Sequence, residues 1–265
     1  MLEIKEVYKT FNKGTVNEKC ALNGLNLILN DGDFCTVIGG NGAGKSTMLN
    51  AIAGVWPVDS GAIIIDGKDV SALPEHKRAS YLGRVFQDPM TGTVADMEIV
   101  ENLAIAARRG KKRGLSWGVK ASEKEKFREM LKEFDLGLEN RMTNKVGLLS
   151  GGQRQAITLL MATIQKPKLL LLDEHTAALD PKTAAKVLEL SDKIISENNL
   201  TALMVTHNMK DAITHGNRLI MMSEGKIILD ISGEEKKKLT VENLLEKFEQ
   251  VSGSKLENDR MLLSD

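Results

Sequence analysis

Nine consecutive residues, Gly39, Gly40, Asn41, Gly42, Ala43, Gly44, Lys45, Ser46 and Thr47, have the composition and spacing of a phosphate cradle. Four glycines let the backbone turn its N–H groups toward an anion without side chains in the way. A helix beginning at Lys45 adds its positive end. Lys45 is placed to reach β- and γ-phosphates, and the Ser46 hydroxyl to ligate Mg²⁺. Other polar residues stand at the ends of apolar runs. Four leucines at 169–172 are followed by Asp173 and Glu174, and acids at such a strand tip lie beside the cradle in a parallel sheet. Asp173 suits a magnesium ion held through water, and Glu174 suits polarising the water that attacks a γ-phosphate. Two carboxylates there would be costly without a cation. The run 201–206 ends at His207, positioned for a γ-phosphate contact. Gln87 closes the run 82–86 and reads either as a magnesium or water ligand on a hinge or as part of a surface loop.

A second anion-binding feature lies far along the chain. Leu149, Ser150, Gly151, Gly152 and Gln153 open a helix carrying Ile157, Leu160, Met161 and Ile164. Ser150 is in the N-cap position, and two glycines leave the tip bare, so the segment is either a second phosphate site or a simply capped helix. Tyr8 and Phe11 fall in the first loop, where each either lays a ring on an adenine or packs on the sheet edge. His76, His175 and His215 have no comparable setting and are assigned no chemistry.

The elements that must position these groups follow from periodicity. Residues 2–7, 22–29, 34–38, 61–65 and 82–86 read as strands, with a helix over 45–53. From about 88 to 165 the pattern turns helical. Thr93 with Asp96, and Ser122 with Glu125, read as cap signatures of the first two helices. Between these helices Arg108, Arg109, Lys111, Lys112, Arg113 and Trp117 form a basic loop, either solvated or resting on lipid headgroups or a partner's acidic face. Strands return at 169–172 and 201–206, separated by a helix that Asp180 caps and Pro181 begins. A hairpin over 219–229 turns at Ser223, Glu224 and Gly225, and Val241, Leu244, Leu245 and Phe248 mark a terminal amphipathic helix. Alternating strands and helices specify an α/β fold.

Composition narrows the functional classes. Lys+Arg 36 balances Asp+Glu 36, so no global field points to nucleic acid or an anionic surface. Two cysteines are too few for a disulfide framework, and Cys35, inside an apolar strand, reads as a small buried hydrophobe in a reducing compartment. No apolar leader and no membrane-length apolar stretch occur, so any membrane role is expected to come through a partner.

With the glycine-rich loop, Gln87, residues 149–153, 169–174, Leu179, Asp180 and His207 in this order, the chain resembles the ATP-binding subunit of an ABC transporter from about residue 2 to 230. The resemblance implies a P-loop NTPase fold: a RecA-like core sheet with an antiparallel β subdomain (1–87 with 166–232), a helical insertion (88–165) and a helical tail (233–265). It implies that residues 39–47 are the Walker A loop, with Asp173 the Walker B acid and Glu174 the catalytic carboxylate. Gln87 becomes the Q-loop, Asp180 part of the D-loop, His207 the switch histidine and Phe11 the adenine-stacking aromatic. It implies ATP and Mg²⁺ as ligands. It also explains the surplus anion site, because two copies pair head to tail and Ser150, Gly151, Gly152 and Gln153 of one face the nucleotide on the other. The expected partners are a second ATPase subunit, transmembrane permease subunits and an extracytoplasmic solute-binding protein, with no nucleic acid. The expected location is the cytoplasmic face of the cell membrane. Import of a small solute such as an amino acid is the expected task, with an exporter subunit or a soluble ATPase acting on ribosomes or DNA as alternatives. Two departures stand out: Gly40 replaces a usual proline and should loosen the loop, and His175 stands where a proline commonly follows the glutamate.

Overall fold

The computed structural model describes residues 1–111 and 118–252, and the side chains through 248. In chain order the elements are β1 (Leu2–Phe11), β2 (Lys19–Leu29), β3 (Phe34–Ile38), α1 (Lys45–Ala53), β4 (Ser60–Ile65), β5 (Lys68–Asp69), α2 (Glu75–Arg78), β6 (Leu82–Val85), α3 (Ile99–Ala106), α4 (Ala121–Lys132), α5 (Gly151–Thr163), β7 (Leu169–Asp173), α6 (Pro181–Glu197), β8 (Ala202–Val205), α7 (Met209–Thr214), β9 (Arg218–Ser223), β10 (Lys226–Ser232), α8 (Gly233–Lys237) and α9 (Val241–Ser252). Lys112, Arg113 and Trp117 of the basic loop, and the end of the tail, lie outside the described residues.

The strands form two sheets. One has the order β2-β1-β4-β5 and is antiparallel throughout; the other has the order β10-β9-β3-β8-β7-β6. In the second sheet β9, β3, β8, β7 and β6 are parallel, and only the hairpin strand β10 runs against its neighbour. The leucine run explains why β7 is central. Leu170 and Leu172 pack into a cluster with the helical segment, including Leu103, Phe127, Leu131 and Ile157, while Leu169 and Leu171 pack into another with Met48, Leu49 and Ile52 of α1. A strand covered on both faces has no use for polar alternation, so it reads as a continuous apolar run. A third cluster joins Ile38, Met209 and Leu219 to Leu239, Leu244 and Phe248, which docks the terminal helices against α7 and the hairpin.

Several boundaries differ from the sequence pattern. Tyr8 and Phe11 belong to β1, not to a loop, because β1 pairs on both sides with shifts of register that carry it past Val7. The Thr93/Asp96 signature is not the cap of α3; Glu98 is its N-cap, and its N–H donates to the Glu101 carboxylate at 2.8 Å. Ser122 lies inside α4, where Glu123 reaches back to the Lys120 N–H at 2.9 Å. In both cases a nearer acid three residues from the true cap closes the first turn.

Candidate functional site

The parallel strands of the second sheet deliver the polar residues to their carboxyl ends, the edge where ligands bind in open α/β sheets. The glycine-rich loop follows β3, Gln87 follows β6, Glu174 follows β7 and His207 follows β8. Gly44, at φ 103°, is the N-cap of α1, and a Cβ there would lie 2.5 Å from the Ala21 carbonyl oxygen. Only glycine allows the loop to press this close to β2. Lys45, 5% exposed, donates from Nζ to the carbonyls of Gly39 at 2.5 Å and Gly40 at 3.1 Å. The Gly40 carbonyl also accepts from the Ala43 N–H at 3.2 Å, so a residue expected to loosen the turn is pinned within it.

Phe11, Lys19, Ala21, residues 41–47, Glu174 and His207 line a cavity of about 320 Å³. Glu174 and His207 meet because their strand tips are tied beyond the regular ladder. The Glu174 N–H donates to the Val205 carbonyl at 3.0 Å and the Thr206 N–H to the Val37 carbonyl at 3.1 Å. The Glu174 backbone turns into the left-handed region at φ 46°, and its carboxylate lies 2.6 Å from His207 Nε2. His175, next in the chain, is 2% exposed and bonds through Nε2 to the Ser191 hydroxyl of α6 at 3.1 Å. That hydroxyl donates to the Val187 carbonyl, so the imidazole nitrogen is the donor and the ring is neutral at Nδ1. Burial pushes the His175 pKa down to about 4, with the nearby His215 adding to the effect. Thus the path after Glu174 is fastened to α6, and it ends at Asp180, whose carboxylate caps α6 by accepting the Thr183 N–H at 3.1 Å.

Asp173, Gln87, Gly39 and Gly40 are not among the cavity-lining residues. Asp173 is half-buried and paired with Arg84 of β6, whose Nη2 lies 3.2 Å from its Oδ2; Gln87 is exposed. Ser150 caps α5 as expected, accepting the Gln153 N–H at 3.3 Å while Gln153 Oε1 accepts the Ser150 N–H at 3.3 Å. The tip is less bare than its glycines suggest. Gly152 is buried, and a Cβ there would lie 2.1 Å from Thr183 Cγ2, so glycine is what lets α5 seat against α6. Ser150, Gly152 and Gln153 line a separate hollow with Thr183 and Lys186, one that shares no residue with the cavity at the glycine-rich loop.

Four side chains at the site escaped sequence reasoning. Lys19 lines the cavity from the start of β2 and carries no sequence signal. Trp56 meets the Phe11 ring edge-on at 4.9 Å between centroids and 81°, and Asp59 holds the same strand end by accepting from the Thr10 N–H and from Lys9. The Thr10 hydrogen bond holds the Asp59 carboxyl below its usual range. Arg84 did have a signal, since a cation inside an apolar strand needs a buried partner. Cys35, as expected, is a buried hydrophobe; burial pushes its thiol up to about 12.

Among the described residues no group of three or more His, Cys, Asp or Glu could hold a metal. The donor set on hand, the Ser46 hydroxyl and a carboxylate at a strand tip, fits magnesium, which is bound through one or two protein oxygens plus substrate phosphates instead of a protein cage. Among the described residues no helix is long and apolar enough to cross a membrane.

A family profile described as ABC transporter matches residues 22–177. The chain is 45% identical to a tyrosine transport ATP-binding protein of Clostridioides difficile, over 94% of this chain and 99% of that one. It is 34% identical to a spermidine/putrescine import ATP-binding protein of Haemophilus influenzae over 89% of its length, spanning 59% of that relative. Among solved structures it is similar to a dimeric ATP-binding cassette in a post-hydrolysis state bound to ADP and Pi, with a TM-score of 0.74, 30% identity and coverage of 88% of this chain and 98% of that one. It is also similar to the ADP conformation of an ABC transporter cassette, with a TM-score of 0.77, 28% identity and coverage of 94% and 98%. A glycine-rich cradle at the edge of a parallel sheet, an acid and a histidine in contact above it, and this matched length together make the chain a member of the ABC transporter family, an ATP-binding cassette with the P-loop NTPase fold and ATPase activity.

Proposed function

We propose that the chain powers import of a small solute, an amino acid such as tyrosine, by closing on ATP with a second copy and opening after hydrolysis. The observation that carries the hydrolytic half of this reading is the contact of Glu174 with His207 on the wall of the glycine-rich cavity. Residues 41–47, Lys45 among them, bind the triphosphate, with Phe11 against the base. Glu174 takes the proton of the attacking water, and His207 orients Glu174 while contacting the γ-phosphate. Ser46, Asp173 and Gln87 would hold Mg²⁺, which when bound would neutralise charge on the phosphate oxygens. The second copy supplies Ser150, Gly151, Gly152 and Gln153, with Asp180 at the junction of the pair.

The choice of tyrosine as solute is supported by the 45% identity to the tyrosine transport relative over nearly the full length of both chains. A permease in the membrane, contacted from the cytoplasmic face by the helical segment 88–165, and a solute-binding protein outside complete the importer. The division into 1–87 with 166–232, 88–165 and 233–265 describes which parts bind nucleotide, signal and dock. The test is uptake of labelled tyrosine by cells in which the wild-type chain is replaced by Glu174→Gln. Loss of uptake supports the reading. Normal uptake, or loss of efflux instead, removes it.

A further inference from the structure

Asp173 has two claimants. In the reading above it serves the magnesium ion, yet in the fold its Oδ2 is 3.2 Å from Arg84 Nη2, with the two side chains 13% and 17% exposed. The pair is made by one nitrogen. Arg84 Nε is buried and has no hydrogen-bond partner, so the guanidinium is incompletely satisfied where it stands. Its other support is the Phe86 ring, whose centroid lies 4.5 Å from Cζ. The Phe86 carbonyl accepts a hydrogen bond at 3.2 Å from Nε2 of Gln155, a fully buried residue of α5, and Gln87 is the next residue in the chain. A monodentate, largely buried ion pair recovers little of what it costs to desolvate both charges, while a stack on an aromatic face holds a guanidinium without a carboxylate.

We propose that Arg84 competes with magnesium for Asp173, and that loading the metal with nucleotide transfers the guanidinium fully onto Phe86, the residue between the β6 strand and Gln87. Arg84 is a positioning residue here: it holds the Asp173 carboxylate at the strand tip and yields it to a stronger cation. Because Phe86 is tied to α5 through Gln155, the exchange is felt in the second turn of the helix whose tip is Ser150. This inference rests on Asp173 being the magnesium-side acid.

Thermodynamic linkage gives the test. Thermal unfolding of the full chain is measured for wild type and Arg84→Met, alone, with a non-hydrolysable ATP analogue in EDTA, and with the analogue plus a magnesium titration. Arg84→Met is expected to lower Tm by about 2–4 °C alone and in EDTA, and the penalty is expected to vanish at saturating magnesium. Its half-saturating magnesium concentration should fall about threefold or more, because the competing cation is gone. Phe86→Leu removes the receiving ring and should move that concentration upward, which keeps the proposal testable if Arg84→Met does not fold. An equal Tm penalty with and without magnesium, or an unmoved midpoint in both variants, overturns the inference while leaving the nucleotide reading intact. A wild-type chain that shows no magnesium-dependent shift removes both.

Discussion

The glycine-rich cavity and the tip of α5, the two places proposed to meet phosphate, are built in opposite ways. The cavity draws on β1, β2, the loop after β3, and the ends of β7 and β8, pieces separated by up to two hundred residues and clamped by backbone bonds between strand tips. The tip is local: five consecutive residues, closed by the reciprocal Ser150–Gln153 bonds and seated on Thr183. Within one chain they line different hollows. One polypeptide does not bring these two hollows together by itself, and the proposed pairing of two copies is what would unite them as half-sites.

That contrast can be broken at either end. The largest effect is expected from Glu174→Gln, which removes the proposed base but keeps the shape: steady-state ATP turnover should fall by about 10²- to 10⁴-fold while ATP still binds, as read by phosphate release and equilibrium dialysis. Next is the buried support beneath the same strand tip. His175 is neutral in the fold with its pKa near 4, whereas in the unfolded chain it protonates near 6.5. Stability is then full above about pH 6.5 and declines as pH falls toward 4, by up to about 3 kcal/mol. Urea midpoints at pH 7.5 and 4.5 measure this, and His175→Gln, which keeps a donor for Ser191, should flatten the difference. Lys45→Ala deletes a charge-assisted contact worth about 1.5–3 kcal/mol, so ATP affinity in dialysis should drop by tens of fold. The smallest effect belongs to the local half-site. Ser150→Ala should cost about 1 kcal/mol of stability through the lost cap and leave ATP affinity of the single chain unchanged; an affinity loss would mean that the tip already serves the cavity of its own chain.

The same contrast explains what could be read from sequence. The tip of α5 and the glycine-rich loop are spelled by adjacent residues, so Ser150 as cap and Lys45 as the first helical residue were legible at once. The leucine run 169–172 was legible because both faces of β7 are buried. Phe11 reads as loop because alternation fades after Val7, yet pairing to β2 extends β1 to it, while the pairing to β4 ends at Tyr8. The partners of Asp173 and Phe11 were not legible. Arg84 and Trp56 reach them across 89 and 45 residues of sequence through sheet order and the return of the chain after α1, which no local pattern encodes. Arg78 is a similar case: its guanidinium, 1% exposed, donates to the carbonyls of Ala51, Ile52, Leu73 and Ser71 and so holds the C-terminal end of α1, a role settled only by tertiary contact.

The most direct measurement is the mass in solution of Glu174→Gln, with and without ATP, alone and combined with Ser150→Arg. If the two half-sites meet across a pair of chains, ATP doubles the mass of Glu174→Gln and fails to do so in the double variant, although both bind ATP. A double variant that pairs as readily, or a Glu174→Gln chain that holds ATP and stays single, would contradict it.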